Sequence, residues 1–308
     1  MTEMIHQARP MPVWRSVLFV PVTVQKFVDG AHRRGADAVI LDLEDSVLAR
    51  DKERARTLVA AAAETVSRSG ADVLVRINRP WRLGLRDLEA VVGPRVCALM
   101  LPKTENAQHV CMVAEVLDDI EAERGLPRGH TRLVPVIESA AAFFHAQKIA
   151  AAHPRIVAMT LGSEDFSLSL GMAPNAEGLF YPKQHVAIAA RAAGILPMGF
   201  IGSVADFGDL EGFRAIVQRA RRLGFMGATV IHPSQVEILN AEFRPSPQEL
   251  AHARRVVDAF EQAAQGSQGA GAVEVDGRMV DLPVVERALR TLARHEAVEV
   301  RARAPVGA

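Results

Sequence analysis

The sequence predicts an α/β protein, a (β/α)8 TIM barrel followed by a C-terminal helical and hairpin extension. Three observations predict it. Eight short apolar runs are spread over residues 16–231, each nearly continuous in apolar residues, as strands covered on both faces are. Longer stretches of helical character separate them, as βαβ crossovers require. Several of those stretches end in glycine, at Gly35, Gly70, Gly125, Gly194 and Gly224, the residue type that closes helices.

The runs are Ser16–Pro21, Ala38–Leu43, Val73–Ile77, Ala98–Leu101, Leu133–Ile137, Ile156–Leu161, Ile195–Ile201 and Ala228–Ile231. The helical stretches are Gln25–Arg34, Lys52–Ser67, Arg86–Val92, Asn106–Arg124, Ser139–Ala152, Pro182–Ala193 and Asp209–Leu223. Such an alternation can close or spread as an open sheet, and the count of eight favours closure. Pro197 and Gly199 interrupt the seventh run. The barrel is assigned to residues 14–245. Residues 246–298 hold a helix over Ser246–Gln265, a Gly/Gln/Ser hinge over Gly266–Gly271, and a hairpin turning at Asp276-Gly277, which suits a type I′ turn. A last helix follows over Pro283–Ala297, and residues 299–308 read as a disordered tail.

Lys+Arg and Asp+Glu both total 36 in 308 residues, so the basic excess of a nucleic-acid or anionic-membrane partner is absent. At 49% hydrophobic the chain can bury a large core. Two cysteines, Cys97 and Cys111, are too few for a disulfide framework and read as free thiols. Residues 1–14 hold no apolar stretch of signal-peptide length, and no run approaches the ~18 apolar residues of a membrane span. A cytoplasmic protein is the expectation.

Barrel chemistry sits at the C-terminal ends of the strands. The residues there are Asp42-Leu43-Glu44-Asp45-Ser46, Arg76-Ile77-Asn78, Pro102-Lys103, Glu138, Gly162-Ser163-Glu164-Asp165 and His232-Pro233-Ser234. Glu138 and Asp165 follow neighbouring strands. Two carboxylates with no histidine or cysteine nearby suit Mg2+, which takes one or two carboxylates and completes its shell with water and substrate oxygens. The alternative for Glu138 is an acid that opens a helix at Ser139. Arg76 inside a strand needs an anion: a substrate carboxylate or enolate oxygen, a pair with Glu44, or both. Alternation places Glu44 towards the pocket. Lys52 either neutralises that acidic cluster or is a plain surface lysine. His232 reads as a packing or phosphate-side residue. Ser163 and Ser234 lack nucleophile-elbow context, and no glycine-rich phosphate loop is present.

These segments carry a family resemblance. Arg15-Ser16-Val17-Leu18-Phe19-Val20-Pro21 and Ile40-Leu41-Asp42-Leu43-Glu44-Asp45-Ser46-Val47 resemble the opening of the citrate lyase beta-subunit-like proteins of the HpcH/HpaI aldolase group. Arg76-Ile77-Asn78, Met100-Leu101-Pro102-Lys103, Ile137-Glu138-Ser139, Gly162-Ser163-Glu164-Asp165, Ile231-His232-Pro233-Ser234-Gln235 and Gly277-Arg278-Met279-Val280-Asp281-Leu282-Pro283 follow in the family's order. The resemblance, over residues 14–297, implies a TIM barrel, usually a homotrimer. It implies Mg2+ on Glu138 and Asp165, with Glu138 also at the substrate, and a substrate-binding arginine at Arg76. It implies an acid at Asp281 that a C-terminal lid delivers, commonly into a neighbouring subunit's site. By the residues alone, Asp281 reads as the N-cap of the last helix. The resemblance also places Arg15, Lys26 and Phe27 near CoA. One departure stands out: many relatives carry an aspartate in the seventh-strand region, where this chain has Gly199. The stretch Gly178–Lys183 has no assignment.

The implied activity is an Mg2+-dependent carbon–carbon lyase. It cleaves a citramalyl-, malyl- or citryl-CoA-type 3-hydroxyacyl-CoA into acetyl-CoA and a 2-oxo acid by a retro-Claisen reaction. Arg76 and Asp281 act on the reacting end, and Glu44 and Lys52 orient water and the metal shell. The alternatives are a malyl-CoA thioesterase or malate-synthase-like enzyme, a pyruvate-type aldolase on free oxo acids, and a non-catalytic binding subunit.

Overall fold

The structure is a computed structural model that describes residues 11–203, 208–265 and 272–303. The chain forms two compact units, one running to Phe243 and one beginning at Arg244. Among the described residues no helix is long and apolar enough to cross a membrane.

The first unit is built on eight strands: β1 (Ser16–Pro21), β2 (Ala38–Asp42), β3 (Asp72–Arg76), β4 (Val96–Leu101), β5 (Arg132–Ile137), β6 (Ala158–Leu161), β7 (Leu196–Pro197) and β8 (Ala228–Val230). Sequential strands from β1 to β7 pair in parallel, and β8 pairs with β1. A parallel bridge from Met198 to Gly227 joins the two ends, so the sheet closes as predicted. Each strand is buried on both faces, and its parity separates two apolar layers. Val17, Ile40, Leu74, Met100, Val136 and Ala158 fill the barrel. Leu18, Leu41, Val75, Leu101, Ile137 and Met159 face the surrounding helices. Carrying the inward parity one step beyond the apolar layer reaches Asp42, Arg76, Glu138 and Thr160, and a second step on the sixth strand reaches Gly162. The register pairs Pro21 with Asp42 and Asp42 with Arg76, so these residues meet at one end.

The helices of this unit are α1 (Gln25–Ala31), α2 (Lys52–Val66), α3 (Trp81–Val91), α4 (Ala107–Glu123), α5 (Ala140–Phe143), α6 (Ala146–Ala150), α7 (Ser163–Leu170), α8 (Ala176–Ala192), α9 (Leu210–Arg222) and α10 (Ser234–Glu242). Several differ from expectation for local reasons. The seventh run yields two strand residues rather than seven, because Gly199 takes φ +137 and turns the chain out of the extended region. The stretch expected as one helix over Ser139–Ala152 is two short ones, α5 and α6. The Ser163–Asp165 segment, which follows the sixth run, opens α7. The start expected at Pro182 lies six residues earlier, because Asn175 caps α8 by accepting from the Gly178 amide at 2.9 Å. The unassigned stretch Gly178–Lys183 is thus helical.

The second unit holds α11 (Pro247–Gln265), a hairpin of β9 (Val273–Val275) and β10 (Arg278–Val280), and α12 (Leu282–Arg303). Ser246 and Glu249 form a reciprocal capping box: the Ser246 amide donates to Glu249 and the Glu249 amide to the Ser246 hydroxyl. Asp276 and Gly277 take φ 53 and 74, the left-handed pair of the expected turn. The unit has its own core of Ala253, Val256, Val275, Val280, Val285 and Ala288. The last helix runs to Arg303 rather than ending at Ala297, so residues 299–303 are helical, not a disordered tail. The expected hinge at 266–271 and the end of the tail, 304–308, lie outside the described residues.

Candidate active site

A cavity of about 830 Å³ opens at the C-terminal end of the barrel strands. Its wall includes Asp42, Arg76, Glu138, Gly162, Asp165 and Lys183.

Arg76 is the organising cation. It donates to both oxygens of Asp42, Nε to Oδ1 and Nη2 to Oδ2, each at 2.7 Å. Its Nη1 lies 3.0 Å from Glu44 Oε2 and 3.7 Å from Asp45. The guanidinium also stands 4.9 Å from the centre of the Phe19 ring. Burial works to raise the Asp42 pKa and is the largest single influence, but the bonds and charge of Arg76, with the bonds from Ser46 and the Glu44 amide, together outweigh it and hold the carboxyl below its usual range. The fixed fork fits a carboxylate on one edge and leaves donors over for a second anion.

Glu44 was expected to face the pocket, and the structure corrects this. β2 ends at Asp42, the chain turns, and alternation no longer applies beyond that residue. Glu44 sits behind the cavity wall, while Asp45, 57% exposed, lines it. Lys103 Nζ donates to Glu44 at 2.6 Å. Burial nevertheless raises the Glu44 pKa over the opposing effect of Arg76 and Lys103. Among the described residues Lys52 forms no ion pair, though the charges of Asp42 and Glu44 act on it. Its ammonium donates to the carbonyls of Leu43 and Glu44 at 2.6 and 2.7 Å, strapping the turn after β2.

Glu138 is 7% exposed, and its pKa is pushed up to about 7. Burial is the main cause; the charges of Glu44 and Asp165 add to it, and the Lys103 amide, which donates to Glu138, opposes it. Lys103 takes φ 49 to aim that amide, a conformation a lysine rarely adopts. Gly162 makes the space: a Cβ there would lie 2.6 Å from Glu138 Oε1. Asp165 stands on the first turn of α7, with its carboxylate 3.8 Å from Lys103 Nζ. Glu138 and Asp165 offer oxygens only, and among the described residues no group of three or more histidine, cysteine or acidic side chains is placed to hold a metal. A desolvated carboxylate beside a second one is the donor set a hard divalent cation takes when its remaining sites go to water and substrate.

The remaining expected residues divide. Lys26 and Phe27, on α1, line the cavity and are exposed. Arg15 lies elsewhere: it precedes β1 at the opposite end of the barrel. There Asp37 holds it through bonds at 2.8 Å and it donates to the Asn240 carbonyl. Burying the barrel floor required a partnered arginine, which leaves Arg15 no part in the rim. His232 lines the cavity, and its Nδ1 is 2.7 Å from the Ser234 hydroxyl. Ser163 donates to the Gly202 carbonyl and is not a free nucleophile. Asp281 belongs to the second unit, where it caps α12 by accepting from the Val284 amide. Sequence reasoning missed Asp42 as the clamp on Arg76, Gly162 as the space for Glu138, and Lys183. Inward parity was the signal for the first two.

Relatives match this chain over nearly its whole length. Citrate lyase subunit beta of Escherichia coli K12 is 36% identical over 300 residues, covering 96% of this chain and 97% of that protein. The (3S)-malyl-CoA thioesterase of Cereibacter sphaeroides ATCC 17029 is also 36% identical, covering 96% and 98%. The CitE protein of Mycobacterium tuberculosis, solved in complex with magnesium, acetoacetate and coenzyme A, superposes with a TM-score of 0.71 at 32% identity, covering 91% of this chain and 97% of that one. With residues 15–233 matching the family as a whole, this chain belongs to the HpcH/HpaI aldolase/citrate lyase family.

Proposed function

We propose that this protein is an Mg2+-dependent lyase that splits a 3-hydroxyacyl-CoA bearing a carboxylate on its hydroxylated carbon into acetyl-CoA and a 2-oxo acid. The observation that carries the reading is the desolvated Glu138 carboxylate, lining the cavity that Asp165 and Arg76 also line. Magnesium and coenzyme A in the M. tuberculosis relative support both the ion and the thioester.

Glu138 and Asp165 would hold the ion. Bound there, Mg2+ supplies Lewis acidity to the substrate's carboxylate and hydroxyl oxygens. Arg76, oriented by Asp42 and Glu44, directs its remaining N–H groups at the charge that develops when the bond between the second and third carbons breaks. Lys103 neutralises Glu44 and lends its amide to Glu138, holding that carboxylate in place. The hydroxyl proton passes to solvent water as the carbonyl of the 2-oxo acid forms, and one proton is gained at the enolate carbon, so no net proton is taken up or released. Asp281 is the acid assigned to that last step, delivered by the C-terminal segment of a neighbouring copy in a trimer. Lys26 and Phe27 are assigned to the CoA moiety.

The relative named as a thioesterase favours a second reading, in which water releases free CoA. Mass spectrometry of products from malyl-, citramalyl- and citryl-CoA with Mg2+ separates the two. Acetyl-CoA plus a 2-oxo acid, abolished by EDTA, is the expected result. Free CoA with an intact hydroxy acid would establish the thioesterase instead, and no turnover of any thioester would overturn both.

A further inference from the structure

The buried face of α8 is formed by Leu179, Pro182, Lys183, Val186, Ala187 and Ala190, the spacing of an apolar helical stripe. A lysine in that stripe is out of place. Lys183 is 4% exposed, yet it lines the cavity at the ends of β6 and β7. Among the described residues its ammonium makes no hydrogen bond or ion pair. It stands 5.3 Å from the centre of the Phe200 ring. Glu164 acts on it electrostatically, but that carboxylate is engaged by the Ser203 hydroxyl. Burial pushes the Lys183 pKa down to about 7, against the opposing effect of Glu164. Among the described residues the seventh-strand side of the wall offers no acid. Pro197–Ser203 contains none, and Gly199 leaves that stretch without a side chain beside Thr160.

The other cations along the cavity differ. Arg76 is held by carboxylates of the chain, and Lys26 and Arg34 are exposed. An unpaired buried ammonium is costly, and an anion entering the cavity removes that cost. A single ammonium against an aromatic ring can meet one carboxylate, whereas the phosphates of CoA call for several donors.

We propose that Lys183 is a specificity-determining subsite for a second carboxylate of the substrate, so that the 2-oxo acid handled here is dicarboxylic rather than monocarboxylic. This rests on the proposed function only in assigning the first carboxylate to the metal.

The test is calorimetric binding of two free acids, pyruvate and oxaloacetate, to the Mg2+-loaded protein. They differ by one carboxylate, and no lyase turnover is needed, so the outcome is independent of which thioester is cleaved. The parent protein is expected to prefer oxaloacetate. Lys183→Met, which fills the site with an apolar chain, is expected to weaken oxaloacetate about tenfold or more, the size of a lost charge-assisted bond, and to leave pyruvate unchanged. Lys183→Arg keeps the charge and is expected to keep most of the preference. A parent protein without preference for oxaloacetate overturns the proposal whether or not the variants fold. So does a Lys183→Met protein that weakens both acids alike, or neither.

Discussion

At the residue scale, the site turns on how one carboxylate is housed. Glu138 has a folded pKa of about 7 against an ordinary 4.5. Between those values the folded chain keeps a proton that the unfolded chain has lost. The stability this group contributes is therefore full below pH 4.5 and is lost as pH rises through about 7. Glu138→Gln should raise the melting temperature of the metal-free protein at pH 8, by up to about 3 kcal/mol in stability, and show no such gain near pH 4.5. The same variant should lose Mg2+ binding, which in the parent should strengthen as pH rises towards 8. Equal melting shifts at both pH values would show that desolvation of the charge is not the cause. Gly162 tests the housing itself. Gly162→Ala puts a methyl group where Glu138 Oε1 now sits, so Mg2+ affinity should fall by about 10–100-fold, the usual effect of disturbing a ligand's supports. Titration of the ion by calorimetry reads this directly, and unchanged affinity would mean the carboxylate has room to move.

At the element scale, the end of β2 and the turn after it gather three carboxylates in four residues, Asp42, Glu44 and Asp45, and the turn needs a strap. Lys52, at the start of α2, supplies two charged hydrogen bonds to backbone carbonyls. Its burial lowers the ammonium's pKa over the opposing pull of Asp42 and Glu44, so the lysine is held by geometry as well as charge. Lys52→Met should cost about 2–4 kcal/mol in urea unfolding, because two such bonds are lost. Hydrogen exchange should speed at residues 43–47 and stay unchanged in β3; acceleration across the whole barrel would point to general destabilisation. Element boundaries were legible where the local signals were strong. β1 and the hairpin turn lie where the pattern put them. β7 and α8 do not, since a left-handed Gly199 and an upstream Asn175 cap overrode the apolar run and the proline.

At the scale of the whole molecule, the two units have separate apolar cores. The barrel unit, ending at Phe243, contains every residue assigned to the metal and to the anion-binding arginine. A fragment of residues 1–243 should therefore melt cooperatively and bind Mg2+ with near-parent affinity. It should turn over no thioester, because Asp281 is missing. Retained turnover would remove Asp281 from the mechanism, and loss of Mg2+ binding would show that the barrel depends on the second unit.

The sequence by itself determined the eight strands, their closure into a barrel and the set of charged residues on one rim. Strand period, covalent order and the burial of both faces are local properties that apolar runs and their ends record. Only the tertiary structure decided which of those charges meet. Arg76 clamps Asp42, 34 positions away, through the β2–β3 register. Arg15 is drawn to the floor, Glu44 turns behind the wall, and Lys183 faces the cavity from a stretch to which the sequence assigned no role. Such partnerships depend on register and on small spaces such as the one at Gly162, and no run of neighbouring residues encodes either.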